Sequence, residues 1–373
     1  MSNVPLAADR LYLDHAATTP ILPQAQAAMV AGMGQWANPS SPHGDGRAAR
    51  AVLEEARARI AAALGWNGPV IFTSGASEAI AIALTRAKAG RIVTSPVEHD
   101  AVLRVTKNAD RLAVDRDGIV STPVRPEPVE GQSFSSDEED RASTSSARTD
   151  ARDLLAVQHV NNETGVIQPL ERIERGAALL FADCAQSAGK LPLPDADMIA
   201  ISAHKFGGPP GIGALLVRDL ALIEASGGQE QGYRAGTENL PAILAMAAAL
   251  EGTDDWLPRA AALRARLDAG VEAAGGTVVA KDAPRIPTIA SYRMPGLSAR
   301  AQLIQFDLAG ISVSAGSACS SGSLKASHVL RATGWDDEAA SQVVRVSLGP
   351  QNCDSDVDRF LDVWTAMAKR ANA

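Results

Sequence analysis

The chain has 373 residues, 46% hydrophobic and 21% charged, which excludes fibrous, collagen-like and wholly disordered classes and leaves room for one large or two medium domains at roughly 150 residues each. Its 35 basic and 43 acidic side chains give a net charge of −8, the wrong sign for a general phosphate-backbone binder, so no direct nucleic-acid partner is expected. No apolar run reaches the ~20 residues of a membrane span, and residues 1–10 show no export signal; Cys184, Cys319 and Cys353 form no C-x-x-C pair, so the expectation is a cytoplasmic protein with no membrane span, disulfide framework or resident metal.

From Gly46 to Leu64 the spacing of Val52, Ala56, Ile60 and Leu64 predicts an amphipathic helix. Short apolar runs follow at Val70–Phe72, Arg91–Thr94, Leu154–Val157, Ala178–Ala182, Met198–Ile201 and Gly213–Val217, and they read as buried parallel strands of an α/β fold. Several end in polar or glycine-rich turns, and open α/β sheets bind ligands beyond the carboxyl ends of their strands. Between 121 and 150 the composition shifts: 23 of 30 residues are Ser, Thr, Pro or charged, so this stretch reads as a solvated, disordered insertion. A polar break at Glu251–Trp256 precedes a new helical pattern from Pro258 to Ala274. The expected division is therefore a large domain over 15–256 and a smaller α/β domain formed by 1–14 with 257–373.

Lys205 ends a strand-like run and precedes the rigid sequence Phe206-Gly-Gly-Pro-Pro-Gly-Ile-Gly213. A lysine held there loses solvation, exposes its neutral amine and can form a Schiff base, although a lone lysine is more often a solvated surface group. Ser202 and His204 flank it and can hold a phosphate, so the pair of features suits pyridoxal 5'-phosphate. That cofactor needs a carboxylate at its ring nitrogen, which Asp183 could supply from a strand end, while Gln186 lies within reach of the ring's phenolic oxygen. Backbone N–H groups of Ala76 and Ser77, where the strand read over Val70–Phe72 opens into a helix, could bind the phosphate.

Cys319 sits among ten small residues, Ser314 to Ser323, and reads as a reactive thiol; Cys353 reads as unreactive, and Cys184 as a packed strand-end residue. Gly44-Asp-Gly46-Arg-Ala-Ala49 fits a dinucleotide fingerprint, but Asn38-Pro-Ser-Ser-Pro42 stands where a strand is required. A Cys/His hydrolase built from Cys319 with His99 or His204 has no feature that assigns either histidine to the thiol.

Taken together, Tyr12-Leu-Asp-His-Ala-Ala-Thr-Thr-Pro20, Asn38-Pro-Ser-Ser-Pro-His43, Phe72-Thr-Ser-Gly-Ala-Ser-Glu78, Glu98-His99, His159-Val-Asn-Asn-Glu-Thr-Gly165, Asp183-Cys-Ala-Gln-Ser187, Ser202-Ala-His-Lys205, Arg234-Ala-Gly-Thr-Glu-Asn239, Gly316-Ser-Ala-Cys-Ser320 and Val344-Arg-Val-Ser-Leu-Gly349 resemble the pyridoxal-phosphate cysteine desulfurases of the NifS/IscS type, within the class V aminotransferases. The resemblance implies fold type I of the pyridoxal-phosphate-dependent transferases: a large domain with a mostly parallel, helix-flanked seven-stranded sheet, plus the smaller domain carrying the Cys319 loop.

Residue by residue, the resemblance makes Lys205 the Schiff-base lysine and His99 the imidazole stacked on the ring. Asp183 pairs the ring nitrogen, Asn162 and Gln186 bind the phenolic oxygen, and Ala76, Ser77, Ser202 and His204 bind the phosphate. Thr237 reaches the phosphate of a partner subunit, which implies a homodimer, and Arg345, together with Asn162, binds the substrate. The implied reaction converts L-cysteine to alanine with a persulfide on Cys319, from which sulfur passes to an iron–sulfur scaffold or a tRNA-thiolation acceptor; Cys319 could also ligate a cluster transiently with such a scaffold. The sequence departs from the family at the 121–150 insertion, at Ala203 where glycine is frequent and at Gln231 where a basic residue is frequent. A sister aminotransferase, a selenocysteine lyase and a non-catalytic sulfur-relay protein remain the competing readings.

Overall fold

In the computed structural model, residues 10–34, 36–121, 152–252, 255–316 and 327–371 are described. The chain runs through β1 (Leu11–Tyr12), α1 (Pro23–Gly32), α2 (Gly44–Ala63), β2 (Val70–Thr73), α3 (Ala76–Arg86), β3 (Ile92–Thr94), α4 (Asp100–Val105), β4 (Asp110–Arg111), β5 (Ala113–Val114) and β6 (Val120–Ser121). It continues through β7 (Leu154–Gln158), β8 (Leu179–Asp183), β9 (Met198–Ser202), β10 (Gly213–Val217), α5 (Leu240–Glu251) and α6 (Leu257–Ala273). The remainder comprises β11 (Thr277–Val278), β12 (Ile289–Arg293), α7 (Ala299–Leu308), β13 (Ile311–Ser312), α8 (His328–Ala332), α9 (Asp337–Ala340), β14 (Val343–Ser347) and α10 (Asp354–Ala371). Of the polar stretch 121–150, only Ser121 lies within the described residues.

Seven strands form the central sheet in the order β2-β10-β9-β8-β7-β3-β4. Strands β7, β8 and β9 carry only buried residues, which is why they read as continuous apolar runs, and their alternate side chains feed different cores. Leu155, Val157, Leu180, Ala182, Ile199 and Ile201 join α2 and α5 on one face. Leu154, Ala156, Leu179, Phe181, Met198 and Ala200 join α3 on the other. One expected direction is corrected: β10 runs antiparallel to both neighbours, β2 and β9. Only residues 203–212 separate β9 from β10, too few for the dozen or more that a parallel crossover needs.

The helix read from Gly46 to Leu64 is α2, whose buried stripe is Ala49, Leu53, Ala56 and Ile60; Val52 and Leu64 stand at its margin. A separate core gathers β1, β12, β14, α6 and α10. There Phe306 and Phe360 stack with ring centroids 4.9 Å apart, and Trp364 closes the cluster against Tyr292. Strand β1 pairs parallel with β13, so the N-terminal arm is folded into the C-terminal third. Among the described residues no helix is long and apolar enough to cross a membrane.

Candidate active site

A cavity of about 430 Å³ opens at the carboxyl ends of β7, β8 and β9, bounded by the start of α3, residues Ala16 and Ala17 of the N-terminal arm, and Arg345 of β14. Ala76, Ser77, His99, Asn162, Asp183, Gln186, Ser202, His204, Lys205 and Arg345 all line it. Residues spread over 270 positions of sequence thus converge because parallel strands deliver their carboxyl ends to one edge.

The phosphate-sized end is built by the turn from β2 into α3. Thr73 Oγ1 donates to Gly75 O at 2.9 Å, and Gly75 (φ 153°) adopts a backbone that only glycine takes readily. Gly213 of β10 supports this turn so closely that a Cβ there would lie 2.8 Å from Gly75 Cα. The first amides of α3, including those of Ala76 and Ser77, have no intrahelical acceptor and present positive dipole ends. His204 faces the same end; burial and then the Lys205 charge lower its pKa to about 4, so it is a neutral donor at neutral pH.

Lys205 closes a short turn after β9, and its Nζ donates to Ala16 O (2.7 Å) and Ala17 O (2.8 Å). Thr19 N in turn donates to His204 O at 2.7 Å, so the N-terminal arm and the lysine turn hold one another. Asp183 ends β8, 6% exposed, with Oδ1 accepting from Ala185 N at 2.9 Å. Burial raises its pKa, against the opposing influences of His99, that amide and Lys205. His99 caps α4, its Nδ1 accepting from Ala101 N at 3.2 Å, which leaves Nε2 to carry the proton of the neutral ring.

Asn162 is held by its neighbours. Asn161 Oδ1 accepts from the amides of Glu163 and Thr164, both at 2.9 Å, and Gly165 (φ 77°) completes the turn where a Cβ would lie 2.5 Å from Ile289 O. Asn162 O accepts from Arg345 Nη1 at 2.9 Å. Gln186 donates through Nε2 to Ala16 O at 2.9 Å, and its buried Oε1 has no hydrogen-bond partner among the described residues. Its second Nε2 hydrogen remains available to a phenolic oxygen.

Thr237 stands exposed on the loop after Gly236, outside this cavity. Cys319 lies outside the described residues; the chain reaches its segment from Ser314, which pairs through both backbone groups with Arg345, and leaves it at Ser327. Cys184 is buried in the core, with its thiol pKa pushed up by burial. Cys353 is exposed at the start of α10, so it is not a packed structural residue, and its Sγ lies 3.2 Å from Ser355 Oγ.

Three contributors carried no assigned role in the sequence reading. Ala16 and Ala17 act through carbonyls, for which their side chains give no signal. Glu98 is fully buried behind the cavity, accepting from Ser95 Oγ (2.6 Å) and Gln158 N (2.8 Å), and burial raises its pKa to about 8. Its position beside His99 in a polar motif was the available signal.

A pyridine ring bearing an aldehyde and a phosphate fits this set of groups: an amine at Lys205, a buried carboxylate at Asp183, free amides at a helix start, and the second amide hydrogen of Gln186 Nε2.

The family model of the class-V aminotransferases matches residues 11–360. A cysteine desulfurase of Gluconacetobacter diazotrophicus is 37% identical, the match covering 95% of this chain and 92% of that protein. Cysteine desulfurase IscS 1 of Archaeoglobus fulgidus is 34% identical over 96% of this chain and 97% of that protein. Among solved structures, a NifS-like protein from Rickettsia africae superposes with a TM-score of 0.81 at 27% identity, covering 96% of this chain and 99% of that one. SspA in complex with cysteine superposes with a TM-score of 0.74 at 27% identity, covering 92% of this chain and 100% of that one. With this cavity at the strand ends and these likenesses over almost its whole length, the chain belongs to the class-V aminotransferase family, among its pyridoxal-phosphate-dependent cysteine desulfurases of the NifS/IscS type.

Proposed function

We propose that this chain takes the sulfur of L-cysteine onto the thiol of Cys319, releasing L-alanine, and passes it to an iron–sulfur scaffold or another acceptor protein. The observation that carries the reading is the meeting of Lys205, Asp183, the start of α3 and Arg345 around one cavity. Lys205 would hold the cofactor through its amine, with Asp183 at the ring nitrogen and His99 over the ring. Asn162 and Gln186 would take the phenolic oxygen, and Ala76, Ser77, Ser202 and His204 the phosphate. When bound, the cofactor accepts the electron pair left as the substrate's α-proton departs.

Arg345 would grip the substrate carboxylate with its planar fork, assisted by Asn162. Lys205 Nζ would be the base that holds the α-proton. The Cys319 thiolate attacks the substrate sulfur, breaking its C–S bond; one sulfur atom moves to Cys319, and the protons of both thiols are retained in alanine and the persulfide.

A homodimer belongs to this reading. Supporting it are the exposure of Thr237 and, beside it, Glu238, a buried carboxylate with no hydrogen-bond partner for either oxygen among the described residues. The separate hydrophobic cores support a large domain over 15–256 and a small one over 1–14 and 257–373. The unpaired thiols of Cys184 and Cys353 suit the reducing cytoplasm.

The test is alanine and sulfide production from L-cysteine with a thiol reductant. Stoichiometric products from the native protein, lost in both Lys205→Ala and Cys319→Ala, are expected. A cofactor-loaded protein that yields neither product, or sulfide release retained in Cys319→Ala, overturns the reading and redirects it to a sister aminotransferase or selenocysteine lyase.

A further inference from the structure

Where the chain leaves the cysteine-bearing segment, two successive side chains reach back to the active-site loops. Ser327 Oγ is buried and donates to Glu163 Oε2, across 164 residues of sequence. His328 Nε2 lies 2.9 Å from Glu98 O, across 230 residues; a carbonyl only accepts, so this nitrogen carries the proton. Glu163 directly follows Asn162, and Glu98 directly precedes His99, so each contact falls one residue from a cavity-lining side chain. Ser327 also accepts from Leu330 N at 3.1 Å as the cap of α8, which fixes its rotamer. The partner loops have little freedom to absorb a shift. Glu163 N is bound to Asn161 Oδ1, Glu163 O accepts from Ser291 Oγ at 2.8 Å, and Glu98 is bound on both carboxylate oxygens.

We infer that Ser327 and His328 are positioning residues, which brace the loops of Asn162 and His99 and root the cysteine-bearing segment on the same two loops. Ser327, where the described chain resumes, and the loops of Asn162 and His99 then share one foundation, so few independent parts can shift against one another. This deepens the desulfurase reading and rests on it only for its kinetic consequence.

The experiment compares the full-length, cofactor-loaded protein with Ser327→Ala, Ser327→Thr, His328→Ala and His328→Asn. Hydrogen exchange at the amides of Glu163, Thr164 and Ala101 is read first, because it does not require turnover; exchange about tenfold faster at Glu163 and Thr164 in Ser327→Ala, and at Ala101 in His328→Ala, is expected. The kcat for alanine formation per bound cofactor should fall about tenfold in the alanine variants, with KM for L-cysteine raised in Ser327→Ala, which loosens the loop of Asn162, and nearly unchanged in His328→Ala. Ser327→Thr and His328→Asn keep a donor and should recover most of both effects. Exchange and kcat equal to those of the native protein, or losses that the donor-retaining variants do not recover, overturn the inference. If the native protein makes no alanine, the desulfurase reading fails separately, and the exchange rates alone decide the bracing role.

Discussion

Arg345 Nη2 lies 2.8 Å from Asp14 Oδ1, a pair that ties β14 to the N-terminal arm across 331 residues of sequence. The same guanidinium gives Nη1 to Asn162 O at 2.9 Å, while its buried Nε has no partner among the described residues. Asp14 and Asn162 therefore aim the fork, and donor capacity remains for an incoming carboxylate.

Replacing Arg345 by lysine keeps the charge but substitutes one compact ammonium for a fork that already serves two acceptors, Asp14 and Asn162. KM for L-cysteine should rise about tenfold or more, with a smaller change in kcat. Steady-state alanine assays check this, and an unaltered KM would remove Arg345 from substrate binding.

The pH dependence of stability should carry the mark of Glu98, whose pKa is raised from 4.5 to about 8 by burial. Between those values the folded chain holds a proton that the unfolded chain has lost, so this group's contribution to stability declines as pH rises through that window. Glu98→Gln imitates the protonated side chain, and its stability relative to the native protein should climb by a few kcal/mol from pH 5 to pH 8. Denaturant titrations at several pH values measure the difference; a flat difference would show that Glu98 is ionised in the fold.

Gly213 leaves no room for a side chain, since a Cβ would meet Ile201 O at 2.4 Å and Gly75 Cα at 2.8 Å. Gly213→Ala should destabilise the protein by about 2–3 kcal/mol. It should also weaken cofactor retention, because the displaced residue is the turn at the start of α3. Thermal unfolding and the cofactor's absorbance after dialysis give the two readings, and retention of cofactor despite a lowered Tm would separate the turn from phosphate binding.

Behind that turn, Arg57 and the fully buried Glu230 carboxylate form a pair at 2.7 Å; Arg57 also stacks 4.5 Å from the Phe72 ring centroid, and Glu230 accepts from Phe72 N at 2.8 Å. Arg57→Met leaves a buried carboxylate without its cation and should cost about 3–5 kcal/mol. Replacing both partners together, with Glu230→Gln, should cost much less than the two single losses summed. A chemical-denaturation cycle tests this, and strict additivity would mean that the pair is not coupled.

Local sequence carried a large share of the architecture. The apolar runs at β7, β8 and β9 were legible because strands buried on both faces have no polar alternation, and α2 because its apolar stripe repeats at helical spacing. Strand direction was not in those runs, since an apolar segment has no polarity of its own; the antiparallel course of β10 follows from the short link 203–212. The chemistry-bearing side chains at Lys205, Asp183, Asn162, His99 and Arg345 were legible as residue types in motifs, and the fold brings all five to one cavity.

What the sequence determined by itself was the inventory: an α/β chain with a lysine, a carboxylate and a helix start suited to one kind of cofactor, and a thiol among small residues. Tertiary structure alone decided which groups touch. The carbonyls of Ala16 and Ala17 on Lys205, the Asp14–Arg345 pair and the reach of Ser327 and His328 to Glu163 and Glu98 join residues more than 160 positions apart. Such contacts depend on how strands, arm and loops pack together, and a backbone carbonyl or a buried carboxylate acquires its role only from the neighbours that packing supplies.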